Sequence, residues 1–272
     1  LQLSVAKSGG ANALLYFGQK TTSEILVSLY FGQNGYIARL IPSVGDSLIF
    51  AEEQCWYRYS SSYVSPGPHK HPIRLGEGHK ESRLGKEARE YPGKIADHVI
   101  GALKGWKIYH FHDTSDSAKV KQTGDIGDNA TLRSDASNLA AFLYLLQKTQ
   151  QDHYDRIVRT IRLAAPFFDD FYLRPSPFNP DKIQLEWREK GSDAYFKAHS
   201  LSDGTLRFVC LTTLLLQPNL PSTILIDEPE LGLHPYAITL LASLLRSTAT
   251  KTQVIVSTQS VPLVNQFEPE DI

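Results

Sequence analysis

The segment Thr223-Ile-Leu-Ile-Asp-Glu-Pro229 decides the fold that this sequence predicts. Its apolar residues run without alternation and end abruptly in two carboxylates, Asp227 and Glu228. Continuous apolar composition is typical of a parallel strand that is buried on both faces, and ligands bind beyond the carboxyl ends of such strands. The segment therefore predicts a buried parallel strand that presents two acidic side chains to a ligand. The plainer alternative is a strand followed by an acidic turn.

A second pattern lies upstream of this strand. Leu201-Ser-Asp-Gly-Thr-Leu-Arg207 leads into an apolar helix predicted from Phe208 to Leu216. Ser202 and Gly204 fall at the start of that helix, where free N–H groups and the helix dipole favour an anion. Ser202 is equally well explained as an ordinary N-cap.

Two more patterns lie downstream. Leu231-Gly-Leu-His-Pro235 turns the chain into a helix predicted from Ala237 to Leu245. Thr252-Gln-Val-Ile-Val-Ser-Thr-Gln-Ser260 predicts a second buried strand that ends in polar residues. The order of these segments within a short stretch of chain is more specific than any one of them.

In this order the four segments resemble the signature, Walker B motif, D-loop and switch strand of ABC-type ATPase heads in the SMC, RecF and OLD-like group. The wording "LSDGTLR", "IDEPELGLHP" and "IVSTQS" is closer to that group than to transporter subunits, and "GGANALLYFGQKTTSEI" and "NLAAFLYLLQ" extend the resemblance to nearly the whole chain. The resemblance implies an α/β, ABC-ATPase-like P-loop NTPase fold with a mixed or parallel core sheet, an antiparallel β lobe and a helical insertion. It also implies ATP and Mg²⁺ as ligands.

The resemblance also assigns roles to individual residues. Asp227 would hold Mg²⁺ through water and Glu228 would polarise the attacking water, two tasks that hydrolysis of a phosphoanhydride needs side by side. Gln259 stands where these ATPases have a switch histidine, and glutamine cannot share a proton as histidine can, so hydrolysis could be slow. The predicted catalytic residues are Glu228, Asp227 and Gln259, the predicted metal ligand is Asp227, and the predicted nucleotide-binding residues are Ser202, Asp203, Gly204 and Ser257.

The expected assembly is a homodimer that encloses two ATP·Mg²⁺, because in ABC heads the signature of one subunit closes over nucleotide held by the other. DNA or an effector protein is a possible further partner. One rival function is a nucleotide-gated binding module with little hydrolysis, acting on DNA or an effector. A transporter subunit and an OLD-like nuclease whose catalytic part lies beyond Ile272 are further alternatives.

The phosphate-binding loop of this family is missing from the sequence. No GxxxxGK[ST] occurs in the 272 residues, and Gly18-Gln-Lys-Thr-Thr22 does not replace it, because residue 13 is alanine and a hairpin rather than a helix follows. We expect the loop before Leu1, and the absence of methionine likewise suggests an incomplete chain. Gln19 and Gln33 are the Q-loop candidates, each more typical of an ordinary surface residue.

Three segments are expected within a single domain of residues 1–272: an antiparallel β lobe at 1–60, a loop-rich and helical insertion at 61–165, and the motif-bearing core at 166–272. The predicted elements are a hairpin at 24–31 and 36–41, strands at 47–50, 54–58, 106–111 and 182–187, an exposed loop at 60–78, a helix whose basic residues Lys80, Arg83, Lys86 and Arg89 share one face, a polar loop at 113–138 with little to bury, and helices at 139–146 and 154–163. That basic face is interpreted as solvated rather than as a nucleic-acid patch.

Histidines raise one metal hypothesis. His110 and His112 would point to one side of a strand, with Asp113 nearby. We favour a structural interpretation, because no third, distant ligand motif is recognisable. His69 and His71 are expected to be exposed, and His234 fits either a dimer contact or a structural role.

Bulk composition excludes several classes of protein. A formal net charge of -1 gives no global attraction to nucleic acid or acidic membranes. Cys55 and Cys210 lack metal-type spacing, and no apolar stretch is long enough to span a bilayer. These features predict a cytoplasmic protein without a disulfide framework.

Overall fold

The computed structural model describes residues 1–58 and 72–272. The chain divides into two compact units, Leu1–Gly105 and Trp106–Ile272. The three-segment division expected from the sequence has its boundaries elsewhere and stays a prediction.

The first unit is built on one antiparallel sheet. Its elements are α1 (Gln2–Lys7), α2 (Ala11–Leu14), β1 (Ile25–Phe31), β2 (Asn34–Ser43), β3 (Ser47–Tyr57), β4 (Pro72–Gly76), α3 (Leu84–Glu90) and α4 (Ile95–Lys104). The strands follow one another in the order β1-β2-β3-β4. The predicted hairpin is confirmed, with Phe31 opposite Asn34 and Ile25 opposite Leu40. Helix α4 packs on β2 and β3 and buries Val99 in their core.

Three predictions for this unit are wrong in detail. The strands predicted at 47–50 and 54–58 are one strand, because Glu53, one of two polar residues between them, is buried and hydrogen-bonded rather than part of a turn. Residues 72–76 of the predicted loop form β4, while His69, His71 and the rest of 59–71 lie outside the described residues. The predicted basic helix begins only at Leu84, so Lys80 and Arg83 precede it.

The second unit carries the segments singled out in the sequence. Its elements are β5 (Trp106–Tyr109), β6 (Gly124–Asp125), α5 (Leu139–Thr149), α6 (Gln151–Ala164), β7 (Phe168–Phe171), β8 (Pro175–Ser176), β9 (Asn179–Ile183), β10 (Glu186–Glu189), β11 (Tyr195–Lys197), α7 (Asp203–Leu216), β12 (Thr223–Asp227), α8 (Pro235–Ala249), β13 (Gln253–Ser257) and α9 (Val261–Val264). Single 3₁₀ turns cover Lys119–Lys121, Ala198–Ser200 and Pro269–Asp271.

A parallel sheet in the order β13-β12-β5 forms the centre of this unit, and two small antiparallel sheets accompany it, β11-β10-β7 and β6-β9-β8. Helix α7 is apolar around most of its circumference, and every residue from Leu206 to Leu216 is buried. It packs between α6 and α8, as expected of a helix without a polar face. The predicted α/β class, with a parallel core sheet and an antiparallel lobe, is confirmed.

Burial differs from prediction at both outer strands of the parallel sheet. β12 is the central, largely buried strand that the sequence predicts. In β5, however, Lys107 and Ile108 are exposed, and in β13 the side chains of Gln253, Ile255 and Ser257 are exposed. Each of these two strands pairs with β12 alone among the described residues, so an apolar sequence at these positions does not ensure burial.

Two connecting regions also differ from prediction. The polar stretch at 113–138 is not empty of core residues, because Val120, Leu132 and Ala136 are buried. The strand predicted at 182–187 is split between β9 and β10, which belong to different sheets. The helices predicted at 139–146 and 154–163 are confirmed as α5 and α6.

Candidate functional site

The parallel register brings three strand ends together at one edge of the central sheet. Asp227, the last residue of β12, lies opposite Ser257 on β13, and Ile226 lies opposite Tyr109 on β5. Polar residues that follow β5, β12 and β13 therefore meet at this edge, where open α/β sheets bind ligands. The Asp227 side chain is 54% exposed, so the acidic pair predicted from the sequence is accessible.

Glu228 follows the strand in an unusual backbone conformation. Its φ is +40°, in the left-handed region that residues with a side chain seldom adopt. Its N–H donates to the Ser257 carbonyl at 2.8 Å, which ties the turn to β13. Non-glycine residues held in this region occur preferentially at functional sites.

The residues after β13 contact the acids after β12. Ser257 Oγ donates to Asp227 Oδ1. Gln259 Nε2 donates to Glu228 Oε1 at 2.7 Å. The structure thus brings together four of the predicted site residues, Asp227, Glu228, Ser257 and Gln259.

A further acid, Glu230, was not predicted as part of the site. It is largely buried, and its Oε1 accepts a hydrogen bond from Thr258 Oγ1 at 2.5 Å. This contact links the loops that follow β12 and β13. Its signal in the sequence is only its position two residues after Glu228.

On the other side of β12, two histidines approach Asp227. His112 Nε2 lies 3.9 Å from Asp227 Oδ2, and His110 completes a group whose ligand atoms are all within 4.8 Å of one another. The sequence suggests Asp113 as their neighbour. Instead, Asp113 accepts bonds from the Ser115 N–H at 3.1 Å and Ser115 Oγ at 2.7 Å, and these bonds lower the pKa of its carboxyl. Asp227 is the third, distant residue of this group, and the sequence does not reveal it.

A buried arginine holds the loops beneath this edge. Arg207 is 6% exposed; its Nε donates to the Phe111 carbonyl at 2.9 Å, one Nη to the His112 carbonyl at 3.1 Å, and the other to the Leu231 carbonyl. Burial lowers the pKa of the guanidinium. Arg207 therefore joins helix α7 to the histidine segment and to the loop after β12. In the sequence Arg207 ends the LSDGTLR segment, and no pattern there indicates its role.

The start of α7 forms a second cluster. Ser202 caps the helix, since its Oγ accepts from the Thr205 N–H at 3.2 Å. Asp203 is exposed and lies 3.9 Å from Nζ of the buried Lys121. A Cβ added to Gly204 would lie 2.2 Å from the Gly232 carbonyl oxygen, so this position requires glycine for packing.

A small cavity adjoins this cluster. It measures about 120 Å³ and is lined by Ser202, Gly204 and Thr205 from α7 together with Gly232 and His234. His234 Nδ1 accepts from the Tyr236 N–H at 3.3 Å and caps α8, which gives this histidine a structural role. The signature segment and the D-loop segment are thus packed directly on each other.

The two Q-loop candidates lie in the first unit. Gln19 Nε2 donates to Asp46 Oδ1 at 3.2 Å, and Gln33 Oε1 accepts from the Tyr57 hydroxyl at 2.7 Å. These local contacts are typical of ordinary surface residues.

Among residues 1–58 and 72–272, no helix combines the length and apolar character that crossing a bilayer requires.

Comparison with known proteins gives the following matches. The chain is similar to the Smc head bound to the C-winged helix domain of ScpA, with 13% identity over 86% of this chain and 68% of that chain and a TM-score of 0.46. It is similar to an Smc head with an extended coiled coil, bound to the C-terminal domain of ScpA, from Pyrococcus furiosus (14% identity, 86% of this chain, 72% of that chain, TM-score 0.40). It is also similar to the SMC head domain from Thermotoga maritima, with 13% identity over 87% of this chain and 68% of that chain and a TM-score of 0.35. No curated protein matches the chain.

A family model matches residues 14–265, which is most of the 272-residue chain. This match confirms the resemblance to AAA-type ATPase heads that the motifs between Leu201 and Ser260 indicate. The chain belongs to the family described as "AAA domain, putative AbiEii toxin, Type IV TA system".

Proposed function

We propose that this chain is the ATP-binding and ATP-hydrolysing part of an SMC/RecF-like ABC-type ATPase head. The observation that carries the proposal is the acidic pair at the tip of β12, with Asp227 exposed and Glu228 half-buried, contacted by Ser257 at the end of β13 and by Gln259 just after it. Membership of an AAA-domain family supports nucleotide as the ligand.

The residues at the strand tip fit Mg²⁺. This ion prefers oxygen ligands, keeps several waters and is usually bound through one or two carboxylates plus phosphate oxygens. Asp227 and the Ser257 hydroxyl bonded to it offer such oxygens at an accessible position. When bound, Mg²⁺ would neutralise charge on the phosphates during transfer.

Glu228 is the proposed general base. Gln259 donates to its Oε1, which orients the carboxylate and leaves the second oxygen to accept a proton from water. The turn at Glu228, tied to Ser257 by a backbone hydrogen bond, holds this side chain next to Asp227. Metal positioning and proton acceptance thus fall to adjacent residues.

The 272 residues contain no phosphate loop, so we propose that a segment outside them supplies it. The outer edge of β13 offers a place for its strand. Ile255 on β13 is 43% exposed, and β13 pairs with β12 alone among the described residues. An exposed apolar strand edge favours addition of another strand.

Two copies of the head would complete each nucleotide site. Ser202, Asp203 and Gly204 lie at the exposed start of α7, a 14-residue helix whose dipole favours an anion at this end. We propose that they contact the γ-phosphate of ATP held by the partner subunit. DNA or an effector protein would respond to this dimerisation.

Gln259 favours a second candidate function, a nucleotide-gated binding module with little hydrolysis. The side chain that contacts Glu228 is an amide, which donates and accepts hydrogen bonds but does not titrate near neutral pH. ATP binding would then drive dimerisation around DNA or an effector, and turnover would be slow.

A cytoplasmic location is part of the proposal. Cys55 and Cys210 are free and buried, which agrees with a reducing compartment.

The deciding experiment measures ATP turnover and ATP-dependent dimerisation of the intact protein and its Glu228→Gln variant. Loss of the base should lower turnover about 100-fold or more and preserve an ATP-bound dimer. Glu268→Gln, at an exposed position that makes none of the contacts described for the strand tip, is the control and should leave turnover unchanged. Unchanged turnover in Glu228→Gln contradicts the assignment, whereas an ATP-dependent dimer with negligible wild-type turnover supports the gated module.

A further inference from the structure

Three side chains on the β5 side of the strand tip form a group of potential metal ligands. One ring nitrogen each of His110 and His112 and a carboxylate oxygen of Asp227 lie within 4.8 Å of one another. Metal–ligand bonds of about 2.0–2.2 Å separate the donors of one tetrahedral ion by roughly 3.5 Å. Since His112 Nε2 is already 3.9 Å from Asp227 Oδ2, small side-chain rotations would bring these donors to a common ion.

One atom of this group lacks a partner. His112 Nε2 is buried and has no hydrogen-bond partner among residues 1–58 and 72–272. A buried polar atom left in this state destabilises the protein unless something satisfies it. A metal ion between this nitrogen and Asp227 Oδ2 would satisfy both atoms.

The surrounding residues hold the ligands in place. Arg207 donates to the carbonyls of Phe111 and His112 and so fixes the backbone that carries one imidazole. Ser257 Oγ donates to Asp227 Oδ1, which leaves Oδ2 facing His112. Hydrogen bonds of this kind orient the ligands in protein metal sites.

We propose that His110, His112 and Asp227 bind a divalent first-row transition metal ion such as Zn²⁺ or Co²⁺. Mg²⁺ and Ca²⁺ prefer oxygen ligands, whereas imidazole nitrogen suits the transition ions. Three protein ligands leave at least one coordination position for water or substrate, as in catalytic rather than structural zinc sites. The site shares Asp227 with the proposed ATPase, but it needs no nucleotide, and its two histidines go beyond that proposal.

The test is a titration of the metal-stripped, intact protein with Co²⁺ in the absence of nucleotide, followed by its visible d–d absorption and by displacement with Zn²⁺. We expect one Co²⁺ per chain with nitrogen ligation. His112→Gln, His110→Gln and Asp227→Asn should each weaken binding by at least about tenfold. Thermal unfolding of each variant checks that it is folded.

Two control variants separate this site from its alternatives. His98→Gln removes an exposed imidazole in the first unit, and Asp113→Asn removes the carboxylate next to His112 in sequence; neither should change Co²⁺ affinity. Equal Co²⁺ binding by wild type and a His110→Gln/His112→Gln double variant would overturn the proposal, as would no binding by wild type. Because no nucleotide is present, either result leaves the ATPase proposal to its own experiment.

Discussion

Each unit of the molecule contains a carboxylate surrounded by hydroxyl and imidazole groups, and the two carboxylates differ in how deeply they are buried and how many hydrogen bonds they accept. Glu53 in the first unit is 1% exposed and accepts bonds from Tyr36 Oη at 2.7 Å, from Ser82 Oγ and from the Arg83 N–H at 2.9 Å, with His79 Nε2 at 2.7 Å. The Tyr36 pKa is raised, first by burial and then by its bond to Glu53.

The strand tip of the second unit is left open by contrast. Asp227 is 54% exposed, and the nearby nitrogen His112 Nε2 is buried without a hydrogen-bond partner among the described residues. A buried carboxylate with several hydrogen-bond donors stabilises a fold, whereas an accessible carboxylate is free to bind a ligand. This difference agrees with a structural role for Glu53 and with the proposal that Asp227 binds a ligand.

Replacing each carboxylate by alanine tests this contrast directly. Glu53→Ala leaves several buried donors without an acceptor and should lower the free energy of unfolding by about 4 kcal/mol. Asp227→Ala should change it by no more than about 0.5 kcal/mol, as for other exposed positions. Denaturant unfolding measures both, and equal losses would contradict the contrast.

Arg207 is the structural support beneath the open site. Arg207→Met keeps the buried stem but leaves the Phe111, His112 and Leu231 carbonyls without their donor, so we expect a loss of about 3 kcal/mol. Arg207→Lys can reach fewer carbonyls at once than arginine, so its free energy of unfolding should lie between those of wild type and Arg207→Met. An Arg207→Met variant with the wild-type free energy of unfolding in the same denaturant assay would show that these bonds do not hold the site.

Gly204 tests how closely the signature segment packs on the D-loop segment. In Gly204→Ala the new methyl would lie 2.2 Å from the Gly232 carbonyl oxygen, a backbone atom, so the loop must move and stability should fall by about 2 kcal/mol. Gly101→Ala is a matched control, because nothing lies within 4 Å of the Cβ position there. Thermal unfolding distinguishes the two, and an unaffected Gly204→Ala would contradict close packing.

Each unit contains one buried thiol, Cys55 in the first and Cys210 in the second, so the two units can be compared by the pH dependence of the free energy of unfolding. Burial raises the pKa of Cys55 to about 11 and that of Cys210 to about 12, from 9.0. Well below pH 9 both thiols are protonated in the folded and the unfolded chain, so they add no pH dependence there. Above it the unfolded chain ionises first, and the free energy of unfolding should fall by about 1 kcal/mol per thiol at pH 10.

Unfolding as a function of pH for Cys55→Ala and Cys210→Ala checks this prediction. In each variant the free energy of unfolding should fall less steeply with pH than in wild type. The difference from wild type should continue to higher pH in Cys210→Ala, because the folded-state pKa of that thiol is higher. A decline identical to that of wild type in both variants would contradict it.

The sequence predicts those elements whose formation depends on neighbouring residues in the chain. Helix α7 with its Ser202 cap, the parallel strand β12 and the β1–β2 hairpin follow from composition, periodicity and turn residues. The motif order also indicates Asp227 and Glu228 before any geometry is known.

Features that depend on contacts between distant segments were not predictable in this way. The approach of His112 to Asp227 requires β5 and β12 to be neighbours, which no local pattern specifies. Arg207 donates to backbone carbonyls, and the amino-acid sequence does not show where those carbonyls lie in the fold. Glu53 reads as a break between two strands because its partners lie elsewhere in the chain.

The central claim is that the acids after β12 receive a metal-bound triphosphate. The most direct measurement is a structure of the intact protein with Mg²⁺ and a non-hydrolysable ATP analogue. We predict the metal next to Asp227, a water about 3 Å from the Glu228 carboxylate and in line with the γ-phosphate, and Ser202 of a second copy on that phosphate. A nucleotide bound away from Asp227 and Glu228 would contradict the account.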